Sequence, residues 1–176
     1  MLKLVGITIF ILLLLVSFSV FKLNVSFRKE REVTNRQKRI KRLSKELINT
    51  FDYLTQQVNK YAVQGEEKYY DNYFKEVNET KTKEKVLQKL KQMDIPNEDI
   101  ELIEEAIDGS MMVTATEKAA LKKAKNGNFL DARKTIFDSY YTKQKEQVLT
   151  PIKKFQKRIE KRVQERINTV QKRANL

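Results

Sequence analysis

Two amphipathic patterns meet at Gly65, and this junction restricts the fold more than any other stretch of the sequence. Before the glycine, Leu54, Val58 and Tyr61 recur at the spacing of one helix face. After it, a second face begins, made of Tyr70, Tyr73, Phe74 and Val77. A single glycine between two periodic runs is typical of the residue just past a helix end, where a left-handed backbone is needed. The sequence therefore predicts a tight corner between two helices, with the aromatic stripe packed in the core.

Composition favours a few long helices and excludes several kinds of site. Four Gly and two Pro among 176 residues leave few turns, and 34% charged residues with a net charge of +13 fit solvated helical surfaces. The lack of Cys excludes disulfides and thiolate metal sites, and the lack of His removes the commonest general base. The sequence contains no phosphate-binding glycine loop, zinc-protease motif or nucleophile elbow. We therefore expect no enzymatic activity, no catalytic residues, no metal and no cofactor.

An uncharged apolar run covers Leu4–Phe21. At a helical rise of about 1.5 Å per residue it spans about 27 Å, which matches the hydrocarbon thickness of a bilayer. Lys3 and Lys22 flank the run as interfacial residues. A cleaved signal peptide is the alternative, with Ser17 and Ser19 as small residues at the cleavage site. Because the run is long and lacks a polar, turn-forming end, we favour an uncleaved single-pass anchor that binds the membrane.

Four amphipathic helices are predicted beyond the anchor. They run from Lys22 to Gln64, from about Glu67 to Met93, from an Asn97 cap to a stop at Asn126–Gly127, and from near Phe129 almost to Leu176. Pro151 is expected to kink the fourth helix, and the polar segment Asn78–Lys85 is the weakest part of the second. Four such helices with short corners predict an all-α fold: an N-terminal transmembrane helix that continues into an antiparallel up-and-down four-helix bundle with a long coiled stalk.

Apolar stripes at helical spacing identify the expected core of this bundle. In chain order the inward residues are Ile40, Leu43, Leu47, Phe51, Leu54, Val58 and Tyr61; Tyr70, Phe74, Val77, Leu87 and Leu90; Ile100, Ile103, Ile107, Met111, Thr114 and Leu121; and Val148, Ile152, Phe155, Ile159, Val163, Ile167 and Val170.

Helix lengths and charge divide the chain into four segments. In an antiparallel bundle, the excess length of the first and fourth helices projects from the membrane end. The predicted segments are an anchor at 1–21, a basic juxtamembrane stalk at 22–36, the four-helix bundle at 37–158 and a basic C-terminal helical stalk at 159–176. The basic stalks predict contact with anionic lipid headgroups.

An acidic run without any basic residue covers Asp94–Asp108. In the predicted helix order it faces basic residues around Lys38–Lys45 and Lys153–Arg158. Each exposed ion pair contributes only ~0–1 kcal/mol, but the pattern favours this order over the alternatives.

Two stretches carry a resemblance to a known family. The first is Leu54–Gly65 with Tyr69-Tyr70 and Tyr73-Phe74 after it, and the second is Ala119–Arg133 with Tyr140-Tyr141 after it. These corners resemble the four-helix-bundle sensor domain of methyl-accepting chemotaxis proteins and related bacterial transmembrane receptors. The resemblance implies an extracytoplasmic, usually dimeric bundle that senses a ligand. In that family a second transmembrane helix and a signalling coiled coil follow, whereas no second apolar run is present here, so we expect a fragment or a stand-alone bundle without its own output domain.

Flanking charge and family resemblance disagree about membrane orientation. The positive-inside rule places the body in the cytoplasm, because basic residues crowd the C-terminal flank of the anchor. These are Lys22, Arg28, Lys29, Arg31, Arg36, Lys38, Arg39 and Lys41. The resemblance places the bundle outside the bacterial cell membrane. We favour the extracytoplasmic orientation, because the charge rule works best for short loops.

The leading functional hypothesis is sensing or signal transduction, with a homodimer or receptor partner and a small-molecule ligand at a bundle or dimer interface. Arg133 and several tyrosines are expected near the distal corners, where they would suit a carboxylate: Tyr69, Tyr70, Tyr140 and Tyr141. We favour surface packing as their explanation, so no ligand-binding residue is assigned. The alternative is a structural or adaptor protein that organises a membrane complex through its coiled-coil helices. Nucleic acid is not expected as a partner, because the basic segments lack interleaved aromatic residues.

Overall fold

The computed structural model describes the backbone of residues 2–174. It also describes their side chains, except those of residues 2–12, 15, 23–27, 29–30 and 170–174. Its elements are α1 (Leu2–Gln64), α2 (Glu67–Lys75), a π-helical segment (Glu76–Thr80), α3 (Thr82–Lys91), α4 (Asn97–Lys125), α5 (Phe129–Ile136) and α6 (Ser139–Ala174). Every element in this described range is helical, so the predicted all-α class is confirmed.

The chain divides into two compact units, Met1–Arg39 and Ile40–Leu176. The second unit contains the end of α1 and all of the later helices. Within the described residues, no helix combines the length and apolarity that a membrane crossing requires. Much of the predicted anchor Leu4–Phe21 lies outside the residues whose side chains are described, so the anchor stays a prediction.

The core of the second unit follows the stripe predicted on α1. All seven residues of that stripe are buried: Ile40, Leu43, Leu47, Phe51, Leu54, Val58 and Tyr61. On α6, Val148, Ile152 and Phe155 are buried, Ile159 and Val163 are half-buried, and Ile167 is exposed. Burying one large apolar side chain stabilises a fold by roughly 1.5–3 kcal/mol, so these stripes provide much of the drive for folding. Val170 lies outside the described side chains.

The corner at Gly65 is confirmed. Helix α1 ends at Gln64, and Gly65 takes the left-handed φ of +72° while its N–H donates to the Tyr61 carbonyl at 2.9 Å. A Cβ atom at this position would lie 3.2 Å from the Phe129 ring. Glycine is therefore favoured here both by backbone conformation and by the close approach of α5.

The prediction of one continuous second helix at 67–93 is wrong. Helix α2 gives way to the π-helical segment, and Lys81, with a left-handed φ of 51°, separates that segment from α3. The Glu76 carboxylate accepts a hydrogen bond from the Thr82 N–H at 3.0 Å across this break. Because the polar stretch contributes no large apolar side chain to the core, a change of register here is tolerated. Tyr73 and Leu90 are fully buried as predicted, and so is Val86, whereas four other expected core residues are only half-buried: Tyr70, Phe74, Val77 and Leu87.

The start and the inward face of α4 differ from the prediction. Asn97 is the first helical residue rather than the cap; Pro96 precedes it, and the Pro96 carbonyl accepts from the Asp99 N–H at 2.9 Å. Met111 is 65% exposed, so its assignment to the core is wrong. Ile100, Ile103 and Leu121 are buried as predicted, and Ile107 and Thr114 are half-buried. The search for large apolar side chains overlooked the other buried residues of this face, most of which are small or polar: Ala106, Ser110, Val113, Glu117, Ala120 and Ala124.

The predicted fourth helix is also interrupted. Helix α5 ends at Ile136 and α6 begins at Ser139. The Asp138 carboxylate accepts from the Tyr140 N–H at 3.1 Å and the Ser139 hydroxyl at 3.2 Å, and these bonds lower the pKa of Asp138. An aspartate beside a serine is an ordinary helix-start signal, so the break has a local cause. Pro151 lies inside α6, and the kink expected there stays a prediction.

Candidate functional site

A carboxyl group lies in the middle of the helical core. The side chain is that of Glu117 on α4, which is only 1% exposed. The Tyr141 hydroxyl donates to its Oε1 at 2.7 Å, the Tyr73 hydroxyl to its Oε2 at 3.0 Å, and the Thr55 hydroxyl to its Oε1 at 3.3 Å. Because these donors lie on α6, α2 and α1, four helices are connected through one carboxyl group.

The two tyrosines explain why a polar group is accommodated in this core. Tyr73 and Tyr141 are among the largest fully buried side chains, and a buried phenol hydroxyl needs a hydrogen-bond partner. Glu117 supplies an acceptor to both. The hydroxyls of Thr55 and Tyr141 also lie 3.3 Å apart, and either can donate to the other. We name Glu117, Thr55, Tyr73 and Tyr141 the carboxyl–hydroxyl cluster.

Burial dominates the ionisation of this cluster. Loss of solvent raises the pKa of Glu117, and the hydrogen bonds from Tyr141, Tyr73 and Thr55, with the charge of Lys83, oppose that rise in part. Burial also raises the pKa of Tyr73 and of Tyr141 far above the ordinary tyrosine range, and the nearby Glu117 charge adds to this. Both tyrosines therefore keep their protons and remain available as donors.

A small cavity of about 30 Å³ adjoins the cluster. Its lining includes Thr55, Ser110 and Glu117 together with two ammonium groups, those of Lys83 and Lys145. A space of this size accommodates a water molecule, whereas a typical organic ligand needs hundreds of Å³. The cavity therefore suits water and protons.

Lys83 brings a second buried ionisable group to the same cavity. Its Nζ donates to the Ser110 hydroxyl at 3.2 Å and lies 5.5 Å from the centroid of the Phe51 ring. Burial lowers the pKa of Lys83, and the charges of Glu84, Glu117 and Glu76 oppose that change. Glu117 and Lys83 are thus both shifted towards their neutral forms by the environment that they share.

A separate ionic cluster joins the start of α4 to α6. Asp99 is fully buried, and its carboxylate lies 3.3 Å from Arg158 Nη1 and 2.9 Å from Arg162 Nε. Arg162 also pairs with Glu98. The predicted pairing of the acidic run with the 153–158 region is therefore confirmed at Arg158. Lys41, from the other predicted basic region, pairs with Glu160 at 3.4 Å.

An open surface groove of about 530 Å³ lies along α1 beside the π-helical segment. It is lined by both cationic and anionic side chains, with one partly exposed aromatic ring: Arg42, Lys45, Glu46, Asn49, Thr50, Tyr53 and Glu76. Among the described residues, no cluster of acidic side chains has the arrangement needed to hold a metal ion.

The structure does not bring the distal arginine and tyrosines together as one site. Arg133 donates to the Ala62 carbonyl at 3.2 Å and so ties α5 to the end of α1. Tyr140 is 58% exposed, whereas Tyr141 is buried against Glu117. The other two tyrosines lie near lysine ammonium groups: Tyr69 near Lys60 and Lys68, and Tyr70 near Lys125.

Sequence reasoning missed Glu117 and Lys83. For Glu117 a signal was present, because it falls four residues after Val113 and three before Ala120, both of which are buried. A polar residue in step with such neighbours is a candidate for an internal hydrogen-bond network. For Lys83 a similar signal was present, because it falls three residues before Val86 and seven before Leu90, both of which are buried.

No family model, curated protein or solved structure matches this chain. The resemblance to chemoreceptor sensor domains therefore rests on the sequence patterns alone and stays a prediction.

Proposed function

We propose that this chain is a non-enzymatic, membrane-anchored four-helix bundle that takes part in sensing or signal transduction. The observation that carries the proposal is the carboxyl–hydroxyl cluster, in which α1, α2 and α6 each donate a hydrogen bond to Glu117 on α4. A change at this one group alters contacts between all four helices at once. Such a shared element suits a signalling bundle, because helix shifts of about 1–2 Å are one way in which switching proteins work.

The energetic character of the cluster supports a role beyond packing. Replacing buried ionic groups with apolar side chains of similar volume is often neutral or stabilising, so a buried carboxyl group is weak evidence for a purely stabilising role. The cluster also lies close to an irregular part of the chain, since Lys83 of the same cavity follows the left-handed Lys81. π-Helical segments are frequent at functional sites, and this one gives α2 and α3 separate registers.

The finer architecture belongs to the same proposal. Four antiparallel members would form the bundle: the end of α1, then α2 together with α3, then α4, and finally α5 together with α6. Leu4–Phe21 would anchor them to the bacterial membrane. The bundle would lie outside the cytoplasm, with anionic lipid headgroups near the basic helix ends and a second copy or a receptor as partner.

An adaptor role is the second candidate, and the ionic cluster around Asp99 favours it. Arg158 and Arg162 fix the start of α4 to α6. Helix α6 then continues to Ala174, beyond its last fully buried residue, Phe155. A fixed base with a projecting basic helix suits a protein that organises neighbours at a membrane surface.

Crosslinking in intact bacteria separates the two candidates. The chain contains no Cys, so a Lys41→Cys/Glu160→Cys pair supplies its only thiols for a short, membrane-impermeant crosslinker, and the crosslinked product is identified by its mobility on a gel. This α1–α6 pair is separated from Thr55 by about 21 Å of helix. We expect Glu117→Gln to change the crosslinking rate by about twofold or more, because a signalling bundle transmits helix shifts.

Glu105→Gln on the exposed face of α4 is the matched control and should leave the rate unchanged. Equal rates in the parent and in Glu117→Gln would contradict signalling and favour the adaptor. Reaction only after lysis would contradict the extracytoplasmic orientation.

A further inference from the structure

The side chains that hydrogen-bond to Glu117 are compatible with both of its protonation states. Its three direct hydrogen bonds come from hydroxyls, which are neutral and can donate or accept. Asp99, by contrast, faces two guanidinium groups, which can only donate. The surroundings of Glu117 are therefore compatible with both a carboxylate and a carboxylic acid.

We infer that Glu117 is a proton-binding site through which pH sets the hydrogen bonding between α1, α2, α4 and α6. This inference depends on the proposed sensing role in one respect: it identifies the proton as the stimulus that is sensed. Proton binding itself is a property of the folded chain and is measurable apart from any signalling.

Protonation changes the hydrogen-bond pattern in a defined way. The carboxylate is an acceptor and receives a hydrogen bond from each of the three hydroxyls. The carboxylic acid carries its own proton, so one neighbouring hydroxyl must accept instead of donate. The Thr55–Tyr141 pair permits this, because a hydroxyl that accepts from the acid has its own proton free for a hydrogen bond to the other oxygen, 3.3 Å away. The adjoining cavity leaves space for a water molecule to complete the new pattern.

Charged and titratable groups face Glu117 from each of the neighbouring helices. They are Asp52 on α1, Tyr73 on α2, Lys83 on α3, and Tyr141 and Lys145 on α6, through direct contact or across the cavity. Lys83 favours the carboxylate, whereas burial favours the acid and outweighs it, so the pKa of Glu117 is raised. The tyrosines do not titrate in the same range, because their own pKa values are raised as well.

The sign of the pH effect follows from the raised pKa. The unfolded chain binds this proton with the ordinary value of 4.5, and the folded chain binds it more tightly. The stabilisation by proton binding is fully present below that ordinary value and is lost as pH rises through the folded pKa. Above the folded pKa, the contribution of Glu117 no longer changes with pH.

Urea unfolding of the full chain in detergent micelles tests this directly. The readout is the unfolding constant of the natural chain divided by that of Glu117→Gln, a ratio that cancels the titration of other groups. We expect this ratio to rise with pH, by up to about tenfold per pH unit, between the ordinary and the folded pKa of Glu117. The matched ratio for Glu105→Gln should be independent of pH. A flat Glu117 ratio, or an equal slope for Glu105→Gln, would overturn the inference.

A second measurement does not depend on the folding of Glu117→Gln. In chains with ¹³C-labelled glutamate carboxyls, the titration midpoint of the buried carboxyl should lie above 4.5 and should rise further in Lys83→Met, which removes an attracting charge. The exposed control Lys122→Met should not move it. A midpoint at or below 4.5 would overturn proton binding at Glu117.

The two proposals can fail separately. A flat unfolding ratio together with a crosslinking response to Glu117→Gln would remove the proton as stimulus and leave the signalling role. A pH-dependent ratio without any crosslinking response would support proton binding and contradict the signalling role.

Discussion

At the scale of single residues, α4 carries two buried carboxyl groups with different partners. Asp99 lies against the guanidinium groups of Arg158 and Arg162, so its charge is compensated directly. Glu117 is bonded by neutral hydroxyls instead, and burial raises its pKa. The first arrangement fixes one geometry. The second allows two protonation states, which is why only Glu117 is proposed as a switch.

Asp99→Asn should destabilise the fold. The amide keeps the shape of the side chain but removes the charge that two arginines face. The arginine side chains are 39% and 44% exposed, so water compensates part of the loss, and we expect about 1–3 kcal/mol. Chemical denaturation monitored by circular dichroism measures this. Glu101→Gln, exposed on the same helix, is the control, and equal stabilities of the two variants would contradict a stabilising role for the Asp99 pairs.

The sequence allowed part of this residue-level picture to be predicted. The acidic run and the basic 153–158 region indicated an ionic contact, because opposite charges at helix ends leave a visible pattern. The only sign of the carboxyl–hydroxyl cluster in the sequence is that Glu117 lies on the same helix face as Val113 and Ala120. Its partners Thr55, Tyr73 and Tyr141 come from three other helices, and no local pattern specifies which of them meet.

At the scale of elements, the two glycine corners and the two unpredicted breaks differ in physical cause. Gly65 and Gly127 adopt φ values of +72° and +80°, which glycine reaches without strain, so both corners are visible in the sequence. The break at Lys81 lies within Asn78–Lys85, the segment predicted to be the weakest part of the second helix, but it carries no glycine signal, because a lysine takes the left-handed conformation there. The start of α6 did carry an Asp-Ser signal, but the apolar periodicity that continues across it concealed the interruption.

Gly65→Ala should cost more stability than Gly127→Ala. Both variants place a Cβ on a left-handed backbone, which costs about 1–2 kcal/mol. At Gly65 the new atom also lies 3.2 Å from the Phe129 ring, whereas at Gly127 nothing lies within 4 Å. Thermal or urea unfolding of the two variants measures the difference. Equal losses would show that α5 does not approach the α1–α2 corner as closely as the structure indicates.

At the scale of the whole molecule, composition and periodicity were sufficient for the all-α class, and the stripe on α1 predicted its share of the core. The membrane anchor, orientation and sensing role remain proposals, because they depend on surroundings that the folded chain does not contain. What periodicity could not provide is the coupling between helices, since that depends on where individual polar side chains converge.

The central claim is that Glu117 couples helices whose own side chains bond different atoms of its carboxyl group. Thr55 bonds Oε1 and Tyr73 bonds Oε2, so the direct hydrogen-bonded link between these two residues runs through Glu117. The most direct test is a double-mutant cycle of Thr55→Val and Tyr73→Phe in urea unfolding, performed with the natural Glu117 and again with Glu117→Gln. We predict a coupling of about 0.5–3 kcal/mol with Glu117 present and a smaller one with Gln. Additive losses with Glu117 in place, or the same coupling in both backgrounds, would contradict the claim.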